Sequence, residues 1–367
     1  MQYTNVNLEA LGYTLPPNSI STSELEAELA PVYQRLSLPE GRLELMTGIS
    51  ARRYWDSDTL PGDKSIESGN SAIQDSGIDR NSIGMLVHGS VCRDHLEPAT
   101  AARVHHELGL SADCHIYDVS NACLGQLNGI IQAANAIELG QIQAALIVGT
   151  EDSRHLMHST INHLNTDLSI TRSSIKNTIA SLTIGSASSA ILLTHRSIST
   201  HDNPIVAAAA QSDSRHHKLC HSGRDEAVSD GMHPLMNTDS ETLMHEGIQT
   251  GVRTFEQFLN RSKWRRDEIS RSYCHQVGSA HRKLMLDSLG LPLDRDFTTF
   301  QWLGNTGSAA LPVTLAIGIE QQAINESENI AMLGIGSGIN CLMIAAQLSS
   351  VAVGTNTPAA DIMSQMS

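Results

Sequence analysis

Apolar runs bounded by turn residues alternate with helically spaced apolar positions along most of the chain. IGMLVHG (83–89) predicts a buried strand and ATAARVHHELGL (99–110) a helix. The strand HIYDVS follows, then a helix over LGQLNGIIQAANAIELG and the strand AALIVGTE (144–151). SLTIGSASSAILLTHRSI (181–198) predicts a Gly/Ser turn and then a strand. This β-α-β alternation predicts a largely parallel sheet with helices on both faces. Residues 200–240 have weak periodicity and predict a long connection or insertion, followed by a helix rich in Glu, Gln and Arg over 240–261. The last stretch, VGTNTPAADIMSQMS, carries no pattern and predicts a loose tail.

The pattern repeats. HIYDVSNAC leads into a helix and then AALIVGTED; in the second half DFTTFQWLGNTG leads into SAALPVTLAIGIEQQAI and then NIAMLGIGSG. Asn121 to Gly149 and Asn305 to Gly334 have nearly equal spans. SIGMLVHGSV (82–91) and EISRSYCHQVG (268–278) each precede their unit as a strand ending in a polar loop. Two such halves predict a pseudo-twofold axis at which the two small-residue turns meet, bringing Cys123 and Asn305 together.

Composition narrows the class. At 367 residues the chain exceeds the usual single-core size, and its 40% hydrophobic and 17% charged content fits a soluble globular protein. Aromatics make up 4%, so Ala, Ile, Leu, Val and Met must build the core. The N-terminus lacks a basic start followed by an apolar run, and no stretch approaches 18 consecutive apolar residues, which predicts neither signal peptide nor membrane span. Six cysteines without a C-x-x-C pair read as reduced thiols in a cytoplasmic protein. A net charge of −15 disfavours nucleic acid as a partner.

Cys123, in YDVSNACLGQLNGI, has two readings. It can pack as a small hydrophobe, or it can act as a nucleophile whose thiolate is favoured by the helix end that follows. His275 can likewise be a core histidine and Asn305 an ordinary turn residue. The histidine-rich stretches HHKLCH (216–221) and RHLMHSTINHL (154–164) lack a standard zinc spacing, so no metal site is expected. Cys274 lies on a strand beside His275, and its side chain should point to the opposite face.

NACLG, CHQVG and GNTGSA, in that order, resemble the Cys, His and Asn motifs of the thiolase-superfamily condensing enzymes, in particular the ketoacyl synthase III branch. The likeness runs from MTGISARR (46–53) to GIGSGIN (334–340), and VCRDHLEPATAARVHH (91–106) is most similar to the OleA-like members, which join two fatty acyl-CoA molecules head to head. There are departures from the synthase III pattern. Val277 and Gly278 follow His275-Gln276, Ala280 stands where an arginine is usual, and Arg42 and Met46 occupy the usual Trp and Arg positions.

The resemblance implies a thiolase fold, an α/β five-layered αβαβα sandwich of duplicated βαβ halves. The N-terminal half (1–198) would carry the nucleophile, the C-terminal half (199–350) would carry His and Asn, and 351–367 would form a flexible tail. It implies an acyltransferase that works as a homodimer on acyl-CoA, with acyl carrier protein as an alternative donor. Coenzyme A would be the substrate carrier, and no resident cofactor is expected.

The chemistry suits the residues. Claisen condensation needs a thiol to hold the first acyl group, which Cys123 supplies. It also needs fixed donors for an enolate oxygen, which His275 Nε2 and Asn305 Nδ2 supply. By resemblance, the backbone N–H groups of Cys123 and Ser337, the latter in the glycine-rich turn GIGSG, form an oxyanion hole. Glu97, 26 residues before Cys123, falls where the OleA-like subgroup has a glutamate delivered from the partner subunit to take an α-proton; its alternative role is a helix N-terminal acid. Two other chemistries remain open: decarboxylative synthesis from a malonyl thioester, which needs no base, and acyl transfer to a heteroatom. The basic run RSKWRRDEISR (261–271) offers Arg265 and Arg266 to a CoA 3′-phosphate, or is a solvated face.

Overall fold

The computed structural model describes residues 1–222, 235–324 and 326–364. Two mixed sheets form the frame. In the first, six strands run in the order Ala352–Thr355, Val6–Thr14, Ala187–His195, Ala144–Glu151, Ile83–His88, His115–Asp118. The second has four, in the order Arg271–Cys274, Glu328–Gly336, Asn340–Leu348, Ile205–Ser212.

Three apolar clusters separate the layers. Between the sheets, the helices Gly125–Glu138 and Ala310–Gln321 pack through Leu127, Ile130, Val313 and Ile317 against Ile147, Ile191, Met332 and Ile344. Helices Pro61–Ser76 and Thr100–Leu108 cover the outer face of the first sheet through Ala72, Ile73, Val104 and Leu108. Helices Ser240–Ser262 and Ser279–Leu289 cover the second through Phe255, Phe258, Met285 and Leu286. The result is the αβαβα sandwich that the resemblance implied. Ala310–Gln321 is apolar on nearly every face, as a helix buried between two sheets must be, whereas Gly125–Glu138 also carries Gln126, Asn128, Gln132 and Asn135.

Three expectations change. The sheets are mixed rather than largely parallel. Ala187–His195 runs antiparallel to both of its neighbours, and Glu328–Gly336 joins Asn340–Leu348 through a tight turn that forces an antiparallel pair. Within 200–240, where a connection was expected, Ile205–Ser212 is a strand paired with Asn340–Leu348; residues 223–234 of that region lie outside the described residues. The tail expected from 351 is tied in. Ala352–Thr355 pairs in parallel with Val6–Thr14, and the Ala359 N–H donates to Tyr13 Oη (2.9 Å) ahead of the helix Ala359–Ser364. No helix of the described residues is long and apolar enough to cross a membrane.

Candidate active site

Cys123 stands in the turn between the strand His115–Asp118 and the helix Gly125–Glu138. The turn is tight: Ala122 adopts a left-handed φ of 46°, and the Leu124 N–H donates back to Asn121 O (2.9 Å). Asn121 is held in turn, its Nδ2 donating to Asn128 Oδ1 (2.7 Å) and its Oδ1 accepting from Asn340 Nδ2 (3.4 Å). Asn340 Nδ2 also donates to Ser337 O (3.0 Å), so one side chain couples the Cys123 turn to the Ser337 turn. A Cβ placed on Gly336 would lie 3.6 Å from Cys123 N, which measures how closely the two turns approach.

Asn305 arrives from the second half at the same point. Its N–H donates to Thr183 O and its carbonyl accepts from Gly185 N (both 2.9 Å). This crossing needs glycines: a Cβ on Gly185 would sit 1.8 Å from Leu303 O, and Gly304 has a φ of +69°. The Asn305 Oδ1 accepts from Gly307 N (3.1 Å), which leaves Nδ2 as the donor edge of the amide. His275 follows the strand Arg271–Cys274 and donates its N–H to Leu333 O (3.1 Å). The buried neighbour Gln276 donates to Cys274 O (2.6 Å) and accepts from Thr299 N (3.1 Å) and Phe300 N (3.3 Å). It therefore clamps the His275 strand end to the segment that leads to Asn305.

Cys123, His275, Asn305 and Ser337 line one cavity of about 310 Å³. Met46, Ile179, Leu243, Met244, Val277 and Ile335 make much of its wall, and among the described residues no Asp, Glu, Lys or Arg lines it. The electrostatics follow from that apolarity. Burial pushes the Cys123 thiol up to about 12, with the Glu151 carboxylate and Cys220 adding to the rise. The helix end expected to favour the thiolate is outweighed here by burial. Such a helix-end field is worth about 0.3–1 kcal/mol, less than one pKa unit, and desolvation exceeds it. Burial drives the His275 imidazole the other way, down to about 3, with His281 contributing. Near neutral pH the pair is therefore thiol and neutral imidazole.

Other sequence candidates lie elsewhere. Glu97 is exposed on the loop after the strand Ile83–His88 and does not line this cavity. Arg265 and Arg266 are not brought to the cavity either. Arg265 pairs with Asp267 (3.0 Å) and Glu268 (3.0 Å), whereas Arg266 pairs with Glu256, donates to Leu289 O (3.0 Å) and lies over the Phe255 ring. Cys274 packs in the outer cluster with Phe255 and Leu286, facing away from the site.

Three residues escaped sequence reasoning. His281 lines the cavity six residues after His275, and its Nδ1 is buried without a partner among the described residues. Cys220 brings a second thiol to the wall. Glu151 is a buried carboxylate near Cys123 at the end of its strand, where a charged residue closing an apolar run was the available signal.

Comparison with known proteins agrees with this geometry. Residues 46–214 match the family model described as thiolase, N-terminal domain, and residues 259–348 match that of 3-oxoacyl-[acyl-carrier-protein] synthase III C terminal. An acyl-CoA:acyl-CoA alkyltransferase of Shewanella oneidensis is 40% identical over 94% of this chain and 99% of its own length. The crystal structure of a Xanthomonas campestris OleA cysteine variant superposes with a TM-score of 0.89 at 31% identity, covering 95% of this chain and 98% of the other. Further structures of that OleA hold lauric acid and lauroyl-CoA, or replace a glutamate lying 26 residues ahead of the cysteine. A 3-oxoacyl-(acyl carrier protein) synthase III of Xanthomonas oryzae reaches a TM-score of 0.88 at 32% identity, over 95% of this chain and all of its own.

Proposed function

The chain belongs to the acyl-CoA:acyl-CoA alkyltransferase family of thiolase-fold condensing enzymes, and from that membership we propose how its residues join two fatty acyl-CoA molecules without loss of CO2. The Cys123 sulfur adds to the carbonyl of the first acyl-CoA as its proton passes to the neutral His275 imidazole. The backbone N–H groups of Cys123 and Ser337 hold the tetrahedral oxyanion. Coenzyme A leaves with that proton, and the acyl group remains as a thioester on Cys123.

The second acyl-CoA then loses an α-proton to Glu97 of the partner subunit in a homodimer. Its enolate oxygen accepts hydrogen bonds from His275 Nε2 and Asn305 Nδ2. The α-carbon attacks the acyl-Cys carbonyl, the carbon–sulfur bond breaks, and the Cys123 thiolate leaves and recovers a proton as Glu97 gives up the one it took. The product is a β-keto thioester of coenzyme A, or the β-keto acid after hydrolysis. A protonated thiol beside a neutral imidazole suits this order, because the nucleophile forms only as the proton finds an acceptor.

One observation carries the reading. Nucleophile and enolate donors converge on an apolar cavity that no carboxylate of the described residues lines. Among the described lining residues an α-proton finds no carboxylate base, and Glu97 is exposed and free to serve a neighbour. The same absence favours a second reading, in which a malonyl thioester makes the enolate by losing CO2, as the likeness to a synthase III would allow. Incubation of the purified protein with long-chain acyl-CoA alone separates the two. A β-keto product, or the ketone it decarboxylates to, supports the first reading. Product only when malonyl thioester is added would replace it with the second.

A further inference from the structure

The lining of the Cys123 cavity is open to solvent on one side and closes into the core on another. Met46 and Ala280 are exposed, so a coenzyme A moiety can remain in water beside them. Burial deepens along one face of the helix Ser240–Ser262, from exposed Ser240 past half-buried Leu243 and Met244, all three in the wall, to buried Gly247. Gly247 continues the face of Leu243 one turn on, yet it does not line the cavity. Ile335 does, and it is buried against that glycine. A Cβ on Gly247 would sit 2.8 Å from Ile335 Cδ1 and, outside its own helix, would meet no other atom of the described residues within 4 Å. The missing side chain is therefore the seat of the isoleucine's outermost methyl.

The backbone behind that methyl has little room to move. The strand Glu328–Gly336 is paired on both sides, with Arg271–Cys274 and with Asn340–Leu348. On its inner face a Cβ on Gly334 would lie 2.7 Å from Leu127 Cδ2 and 2.8 Å from Leu124 Cδ2, so the strand rests directly on the start of the central helix. If Cδ1 loses its seat, the side chain turns instead of the strand, and the open space beside it is the cavity. Ile335 also stands two residues ahead of Ser337, whose N–H faces the acyl carbonyl in the proposed reaction. An alkyl chain that leaves Cys123 toward the closed side therefore runs against Ile335.

We propose that Ile335, seated on Gly247, is the end stop of the alkyl pocket, and that this pair sets the acyl chain length that Cys123 accepts. This rests on Cys123 being the acyl-bearing residue and adds what limits its substrate. Two readouts keep the end stop and the reaction apart. Calorimetry gives the affinity of the protein for a graded series of saturated fatty acids, which needs no chemistry. Intact mass gives the acylation of Cys123 by the matching acyl-CoA series.

Gly247→Ala adds a methyl behind Ile335 and should drive it into the pocket. The optimum should move to shorter chains, and the longest chain that wild type binds well should lose about fourfold in affinity for each methylene it no longer buries. Ile335→Val removes Cδ1, the atom that faces Gly247, and should move the optimum to longer chains. The double variant exchanges one methyl for the other at nearly constant volume and should return the profile to within about twofold of wild type. A folded Gly247→Ala protein with the wild-type optimum, or a double variant as shortened as Gly247→Ala alone, overturns the end stop. Alanine is the better helix former, so the helix itself is not at risk. If Gly247→Ala nevertheless fails to fold, Ile335→Val decides: an optimum no longer than that of wild type overturns the end stop as well. Fatty-acid profiles that shift as expected while Cys123 stays unacylated would count against the proposed reaction alone.

Discussion

Glu97 offers the sharpest test of how the site is assembled, because cis and trans delivery predict opposite results in one experiment. Glu97 is exposed and does not line the cavity, whereas Cys123 does. In a homodimer with twofold symmetry, each site would then combine Cys123 of one chain with Glu97 of the other. Glu97→Gln keeps the shape but cannot take a proton, and loss of a general base typically costs about 10²–10⁴-fold in rate. Cys123→Ala removes the acyl carrier. Each variant homodimer should therefore be inactive in condensation, although Glu97→Gln still acylates Cys123 and releases coenzyme A once.

A heterodimer of the two contains one site built from the Glu97→Gln chain's Cys123 and the Cys123→Ala chain's Glu97. With trans delivery that site is intact, so heterodimers isolated by two affinity tags should retain about half of the wild-type rate per dimer, and an unselected equimolar mixture about a quarter. With cis delivery neither site is complete and the heterodimer is dead. The assay is ketone or β-keto acid formed from acyl-CoA alone, with subunit composition checked by native mass. An inactive heterodimer whose Cys123 still acylates would refute trans delivery. A Glu97→Gln homodimer that condenses at the wild-type rate would refute the base itself.

Other outcomes follow from the same geometry. Asn305→Ala removes one preorganised enolate donor and should slow condensation by about 100- to 1,000-fold while acylation of Cys123, read by intact mass, changes far less; equal loss of both steps would place Asn305 elsewhere in the cycle. His275 and His281 have folded pKa values depressed to about 3 and about 4, so the unfolded chain binds their protons first. Their contribution to stability is full above pH ~6.5 and declines as pH falls toward the folded values, by up to about 1.4 kcal/mol per pH unit for each. Urea unfolding at pH 5 and 7 should show that decline, and His281→Asn should weaken it; an unchanged slope in the variant would reject a buried neutral His281. Charge reversal at Arg265 and Arg266, which are engaged with Asp267, Glu268 and Glu256, should leave KM for acyl-CoA within about twofold. A rise of about tenfold would restore them as phosphate ligands.

The parts legible in the sequence are those that local pattern controls. Continuous apolar runs marked the strands Ile83–His88 and Ala144–Glu151, and the helix Gly125–Glu138 was readable from its apolar face. The duplicated strand-turn-helix pattern sufficed to bring Cys123 and Asn305 to one cavity. Where pattern failed, the cause was long-range contact. Ile205–Ser212 is rich in alanine, a helix former, and becomes a strand because Asn340–Leu348 pairs with it. Ala352–Thr355 is ordered by Val6–Thr14, more than three hundred residues away. Glu151 closes an unremarkable strand in the sequence; its partners lie 60 and 157 positions off. The desolvation of the Cys123 thiol was not legible because a helix end is visible in sequence, while the apolar wall around the sulfur comes from distant segments.

The central claim is that the acyl group on Cys123 is the electrophile and a free acyl-CoA the carbon nucleophile. Isotope position decides it in a single turnover. The protein is loaded with an acyl group carrying ¹³C at its carbonyl, freed of excess acyl-CoA, and chased with unlabelled acyl-CoA of another chain length. In a β-keto acid the carboxyl carbon comes from the nucleophile and the keto carbon from the acyl group on the enzyme. After decarboxylation, the account predicts that the mixed-length ketone carries the label at its carbonyl and that the CO2 released is unlabelled. Label in the CO2, or no mixed ketone until a malonyl thioester is added, would contradict it.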